Sequence, residues 1–367
     1  MNSEHLAGGR LTVDLGAIVE NWKHLNRQSR PGKASAVVKA NAYGLGISEV
    51  APALAKAGCD TFFVALPGEG VKLRALLPEA TVYVLNGIHS DVSKIMIENE
   101  LRPVLSSYEH VGTWKGTHGA PCAIQVDTGM NRLGVSVEDA ISLSSERPVN
   151  CTHVMSHFAC ADTPAHWLNN QQIEQFQLVS EKFSGVESSL SNSAAIISKG
   201  ALGHDLTRPG IALYGGEAVN GMANLMQPVV SLEARIVQVR EAKAGETVSY
   251  GATHTLKRDS RLAIVSVGYA DGYPRSASGS GVPLRDTVQQ GTFGAIRGHR
   301  IPLLGRVTMD LMCFDVTDIP TKDVDEGWIE LLGPTMSIDD VARAAGTIGY
   351  EILTSFGARY ARRSRNL

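Results

Sequence analysis

A single lysine ends a short apolar run in "AVVKANAYGLG", with Lys39 directly after Val38 and a tyrosine, Tyr43, four residues further on. A lone lysine there is ordinarily a strand leaving the core for water. Four further segments carry polar residues at comparable places. "DTGMNRLG" contains Arg132, "MSHFACAD" contains His157, "SNSAAI" contains Ser193, and "TRPGIALYG" contains Arg208 and Gly210. Each has a plain structural explanation by itself. Arg132 could pair with Asp127 on the surface, His157 could be a satisfied core histidine, and Ser193 could only cap a helix. Taken together they are a set of groups able to hold an anion and move a proton. A serine hydroxyl at a helix start favours anions, Gly210 lets the amides of Gly210 and Ile211 approach closely, and a lysine can form a Schiff base with a carbonyl. Lysine opposite a phosphate site suggests pyridoxal phosphate (PLP); a lysine contacting phosphate on an aldolase-like barrel fits the same pattern.

The elements that would position these residues follow from the hydrophobic pattern. From residue 14 onward, short apolar runs at 36–38, 61–66, 81–85, 102–105, 122–127, 151–156, 187–191 and 206–213 alternate with amphipathic stretches such as "ISEVAPALAKAG" and "NQQIEQFQLVSEKF". Alternation of this kind predicts a (β/α)8 TIM-type barrel over 14–227, with 187–191 the weakest strand and an open doubly wound sheet as the alternative. In such a barrel the five polar segments follow the first, fifth, sixth, seventh and eighth strands and share the C-terminal face, where barrels hold substrates and phosphate. Near Gln227 the pattern becomes β-rich and broken by Gly and Pro, which predicts a mostly-β C-terminal domain over 228–367 with one helix near its end. The early strand "RLTVDL" at 10–15, most of which lies in an N-terminal segment 1–13 set apart from the barrel, does not fit the helix that follows it and is expected to pair with that distant domain.

Composition narrows the function classes. The 367 residues are 43% hydrophobic and 19% charged, with a formal net charge of −3, as in a globular protein. Nothing resembles the basic stripe of a nucleic-acid binder, and no run is long and apolar enough for a membrane span. The five cysteines have no metal-type spacing, so no metal site is expected, and the absence of a leader-like N-terminus predicts a cytoplasmic protein with reduced thiols.

The ordered motifs "AVVKANAYGLG", "DTGMNRLG", "HFACAD", "NSAA", "RPGIALYG", "SYG", "VGYADGYPR" and "GRVTMD" resemble those of the alanine racemases over nearly the whole chain. The resemblance implies covalent PLP, a small amino-acid substrate and a homodimer whose active sites are shared between subunits. It implies Lys39 as the PLP lysine. Tyr43, Ser193, Gly210 and Ile211 would contact phosphate, Arg208 would face the pyridine nitrogen, and His157 would lie beside Arg208. It further implies Arg132 near the substrate carboxylate, and Tyr269, Met309 and Asp310 supplied by the other subunit. Lys39 and Tyr269 would then exchange protons on opposite faces of Cα, the lysine for D-alanine and the tyrosine for L-alanine. Lysine and tyrosine side chains both have pKa values near ~10, so an alkaline activity optimum is expected. Two positions depart from the family pattern. Gln125 stands where many relatives carry a carbamylated lysine, so its amide is expected to hold Arg132, and Ala358 stands where relatives often have a phosphate-contacting tyrosine, with Tyr350 or Tyr360 nearby. The competing readings are a serine or broader-specificity racemase, a decarboxylase of similar architecture, and a non-catalytic PLP-binding barrel.

Overall fold

The computed structural model describes residues 3–117, 119–281 and 291–365. It forms two compact units, one spanning Ala17–Gln227, the other joining the segment that ends at Gly16 to the chain from Pro228 onward.

The first unit is a parallel barrel. Seven strands lie in sequence order: Ala36–Val37, Thr61–Val64, Thr81–Val84, Arg102–Leu105, Pro121–Gln125, Asn150–Met155 and Glu187–Ser189. Several are buried along nearly their whole length, Thr61–Val64 completely, which is why they read as unbroken apolar runs instead of alternating ones. An eighth strand, Leu206–Thr207, closes the ring through backbone bonds to both ends of the sheet. On one side Asp205 N–H donates to Ser188 O at 3.1 Å and Arg208 N–H to Ser191 O at 2.9 Å; on the other, Ser35 N–H donates to Thr207 O at 2.9 Å and Val37 N–H to Pro209 O at 3.0 Å. Helices such as Ile47–Lys56 and Trp167–Ser180 connect the strands. The interior is filled by rings: Phe63 stacks on Tyr83 at 5.0 Å, and His153, from the sixth strand, tilts against Tyr83 of the third at 5.3 Å. Contact between strands that are not neighbours can only cross the barrel.

The expected strand over 206–213 stops at Thr207. Pro209 has no N–H for a ladder, and Ser193 draws the next amides away, so Ile211–Tyr214 turns into a 3-10 helix. The runs at 61–66 and 187–191 are likewise shortened to Thr61–Val64 and Glu187–Ser189.

The second unit is built on eight strands in the order Ser260–Val265, Met312–Asp315, His299–Leu304, Phe293–Ile296, Trp328–Leu332, Val230–Ala242, Gly9–Asp14 and Ala361–Arg365. Val230–Ala242 is 13 residues long and carries a bulge between Ile236 and Gln238. It therefore pairs both with Trp328–Leu332 and with Ser260–Val265, closing the first six strands into a ring. Gly9–Asp14 pairs antiparallel with this long strand, Leu11 opposite Leu232, and parallel with Ala361–Arg365. The single helix expected near the end is two, Ile338–Ala345 and Gly349–Ser355, because Gly346 adopts a left-handed conformation at φ +71° that stops the first.

Candidate active site

Lys39 begins a turn of unusual hand. Ala40, Asn41, Ala42 and Tyr43 have φ of 52°, 56°, 54° and 53°, four consecutive left-handed residues with no glycine among them. Such a conformation costs roughly 1–2 kcal/mol per residue, so it persists only where the surroundings hold it. Internal bonds account for part: Ala42 N–H donates to Val38 O at 2.9 Å, and Ile47 N–H to Asn41 Oδ1 at 3.0 Å. The Tyr43 ring stacks on the fully buried Tyr214 at 4.5 Å, and Tyr214 Oη donates to Val37 O at 2.9 Å. Glu69, from the helix Pro67–Leu76, accepts the Ala40 N–H at 2.6 Å. The Lys39 amine is pushed below its ordinary value, chiefly by burial and then by Arg132, while Glu69 opposes the shift.

Facing this turn, the eighth strand and the helix Ser193–Lys199 make a small pocket of backbone amides. Asn192, not Ser193, caps that helix, accepting the Ala195 N–H at 3.0 Å. Ser193 is thereby free to accept two other amides, Gly210 N–H at 2.8 Å and Ala212 N–H at 3.3 Å. Between them Ile211, 1% exposed, has no hydrogen-bond acceptor for its N–H among the described residues. A Cβ on Gly210 would lie 2.3 Å from Tyr43 Oη, so only glycine admits the phenol at this place.

Arg208, 4% exposed, reaches into the barrel, where its guanidinium donates to Ser189 Oγ, to Ser156 O and, at 3.4 Å, to His157 Nδ1. Burial lowers its pKa to about 9, which leaves it charged at neutral pH. His157 is held down to about 3 by burial first, then by Arg208, Arg132 and Lys39. Its ring is therefore neutral, and with Nδ1 accepting from Arg208 the proton sits on Nε2. Of this pair, the arginine carries the charge.

Arg132 lies exposed at the tip of a loop pinched at its base, where Asp127 N–H donates to Val135 O at 2.9 Å and Val135 N–H to Gln125 O at 2.9 Å. Asp127 does not pair with Arg132; its Oδ1 accepts the amides of Gly129 and Met130 at 2.8 and 2.9 Å and shapes the loop. Gln125 is buried, and among the described residues no hydrogen bond joins its side chain to Arg132.

In the second unit, Tyr269 opens a 3-10 turn, Tyr269–Asp271, and is 41% exposed. The turn is laced to a neighbouring segment, Tyr269 N–H donating to Thr308 O at 2.9 Å and Ala270 N–H to Met309 O at 3.0 Å. Gly268 is required by that closeness, since a Cβ there would meet Thr308 O at 2.3 Å. Arg359 spans the pair, binding Asp271 at 3.1 Å and Asp310 at 2.8 Å. Tyr269, Met309 and Asp310 thus line one groove of about 540 Å³ with Tyr250 and Arg306. Ala358 adjoins Arg359; Tyr350 is 39% exposed, and Tyr360 is buried against Phe356, ring centres 6.1 Å apart.

The expected site residues therefore form two groups: Lys39, Tyr43, Arg132, His157, Ser193, Arg208, Gly210 and Ile211 in the barrel, and Tyr269, Met309 and Asp310 in the β unit. Sequence reasoning missed Glu69 and Tyr214. Pro67 and Glu69 at the first and third helical positions do mark a helix start, but nothing local tells that the carboxylate reaches back 29 residues.

Residues 13–218 match the profile of the alanine racemase N-terminal domain, and residues 229–364 that of the alanine racemase C-terminal domain. The chain belongs to the alanine racemase family. It is 53% identical over 364 residues to the biosynthetic alanine racemase of Agrobacterium fabrum, covering 96% of this chain and 93% of that one. It is 50% identical over 367 residues to the alanine racemase of Rhizobium meliloti, covering 97% and 96%. Among solved structures, the alanine racemase of Bartonella henselae with covalently bound pyridoxal phosphate superposes with a TM-score of 0.88 at 35% identity, covering 98% of this chain and all of that one. The racemase-family fold is thus present in full, barrel and β unit alike.

Proposed function

We infer that the protein is an alanine racemase that interconverts L-alanine and D-alanine with pyridoxal phosphate as its cofactor. The observation that carries this is family membership across both units at 53% identity, joined to a barrel pocket whose donors fit the cofactor. The fit rests on the chain itself. Among the described residues the buried Ile211 N–H lacks an acceptor, the Ser193 hydroxyl lies beside it, and the opening over Gly210 admits the Tyr43 phenol: together they make a cradle for a phosphate. Lys39 is a mostly buried amine of lowered pKa, suited to a carbonyl. The cofactor, when bound, supplies an electron sink that makes the substrate Cα–H acidic.

What remains is done by side chains. Tyr43, Ser193 and Ile211 would hold the phosphate, and Arg208 would serve the ring nitrogen as a donor that does not readily surrender its proton. Arg132 receives the substrate carboxylate. Racemisation needs a proton taken from one face of Cα and one delivered to the other, which a single base cannot do on a fixed planar centre. Lys39 serves one face, its lowered pKa raising the share of free amine, and Tyr269 serves the other. We assign Tyr269, Met309 and Asp310 to the neighbouring subunit of a homodimer. The exposure of Tyr250, Met309 and Tyr269, 72%, 54% and 41%, supports that assignment, since a cluster of large apolar side chains is normally covered by a partner. Among the described residues no helix is long and apolar enough to cross a membrane, and the five free cysteines accord with a cytoplasmic location. The biosynthetic name of the 53% identical relative favours D-alanine supply over alanine breakdown.

The test is racemisation of L-alanine and L-serine measured side by side, with and without added PLP. Faster turnover of alanine, lost on cofactor removal and regained on its return, is expected. Preference for serine, or activity indifferent to PLP, would overturn the reading.

A further inference from the structure

Glu69 gathers backbone amides from two separate elements. Its Oε2 accepts the N–H groups of Ala65 and Leu66 at 2.8 and 3.2 Å, closing the first turn of its own helix. Its Oε1 is left over from that capping role and accepts the Ala40 N–H at 2.6 Å, the amide directly after Lys39. Ala65 follows the second barrel strand and Ala40 the first, so one carboxylate ties the C-terminal ends of two neighbouring strands together. The Ala40 amide belongs to the first of four left-handed residues, and a turn of that hand without glycine needs an external hold.

We propose that Glu69 is a positioning residue for the reactive lysine: by accepting the Ala40 N–H it locks the left-handed turn Ala40–Tyr43, and so sets both the direction in which Lys39 leaves its strand and the place of the Tyr43 phenol. The inference rests on the reading of Lys39 as the cofactor lysine, and extends it. The helix holds the carboxylate in advance, because its position in the first turn places negative charge at the favourable end of the helix dipole. Without it the turn relaxes toward ordinary backbone angles, and the amine of Lys39 and the phenol of Tyr43, four residues apart, are displaced together.

A residue that merely caps the helix can be told apart from one that positions Lys39. Glu69→Asp retains a carboxylate able to cap the helix but, one methylene shorter, withdraws from Ala40; Glu69→Gln retains the length but turns an amide donor toward backbone donors. Each purified variant is stripped of cofactor, then mixed with pyridoxal phosphate, and the growth of visible absorbance from cofactor joined to Lys39 is followed alongside thermal melting. Loss of one charge-assisted hydrogen bond on a pre-formed turn is expected to slow capture about tenfold or more in Glu69→Asp, with melting close to the parent. Parent-like capture in Glu69→Asp, or capture that falls only in proportion to melting across both variants, would overturn the proposal. Failure of the parent chain itself to develop the absorbance would instead strike at the reading of Lys39.

Discussion

Gly210→Ala tests whether the pocket between Tyr43 and the eighth strand is as tight as its geometry implies. The added methyl would sit 2.3 Å from Tyr43 Oη and 3.2 Å from Cζ, whereas an ordinary contact begins near 3.4 Å. The phenol or the Gly210 backbone must therefore yield by about 1 Å, and overpacking on that scale costs roughly 1–3 kcal/mol. For a unit the size of the barrel, ~2 kcal/mol corresponds to a melting point lower by about 4–8 °C. If the displacement also spoils the phosphate cradle, cofactor affinity falls by about 10- to 30-fold. The decisive comparison is the double variant. Tyr43→Phe removes the oxygen that causes the 2.3 Å approach and leaves only the milder contact with the ring carbon. Gly210→Ala introduced into a Tyr43→Phe background should then cost about 1–2 kcal/mol less than it does in the parent, which is the coupling between the sites. Calorimetric melting and equilibrium cofactor titration of the four proteins measure it. An alanine penalty that is the same with and without the hydroxyl, or no penalty at all, refutes the reasoning.

Three further outcomes follow from the same geometry. His153 is fully buried, its ring nitrogens have no hydrogen-bond partner among the described residues, and burial holds its pKa down to about 3. Because the unfolded chain takes up that proton near pH 6.5 and the folded one does not, stability falls with acidification below about 6.5, at ~1.4 kcal/mol per pH unit for this group; His153→Leu should reduce the slope of urea-unfolding stability between pH 6.5 and 5 by up to that amount, leaving the share of His157, and an unchanged slope contradicts the assignment. Arg208→Glu places a proton-holding group where the ring nitrogen is expected, so keto-acid formation per racemisation event should rise; an unchanged ratio counts against the role given to Arg208. Tyr269→Phe should lower racemisation by about 100-fold or more while D-alanine continues to exchange its Cα proton with heavy water without inversion, as read by NMR. Loss of exchange equal to the loss of racemisation would show that Lys39 does not act as an independent base.

Much of the architecture was legible because it depends on burial. Runs such as 61–64 and 81–84 lie inside a sheet covered on both faces, where nearly continuous apolar residues are what burial calls for. The long bulged strand Val230–Ala242 was visible as a β-rich stretch, but its double pairing was not, because closure depends on partners far along the chain. The least legible feature is the left-handed turn after Lys39. Ala-Asn-Ala-Tyr carries no glycine at any of the four positive-φ positions, so local preference points the other way, and tertiary contacts from Tyr214 and Glu69 decide the matter. Ser193 illustrates the same limit at smaller scale. A serine at the start of a helix reads as its cap, yet Asn192 takes that role and releases the Ser193 hydroxyl for Gly210 and Ala212.

If the Lys39 amine of one chain and the Tyr269 phenol of another meet at one substrate, as proposed, mixing subunits will show it. Lys39→Ala and Tyr269→Phe proteins are each expected to be inactive as homodimers. Coexpressed, half of a random mixture is heterodimer, and each heterodimer holds one site with both lesions and one with none, so activity should return to roughly a quarter of the parent value. A mixture as inactive as its two components would mean that Lys39 and Tyr269 serve a site within a single chain, or that they do not act together.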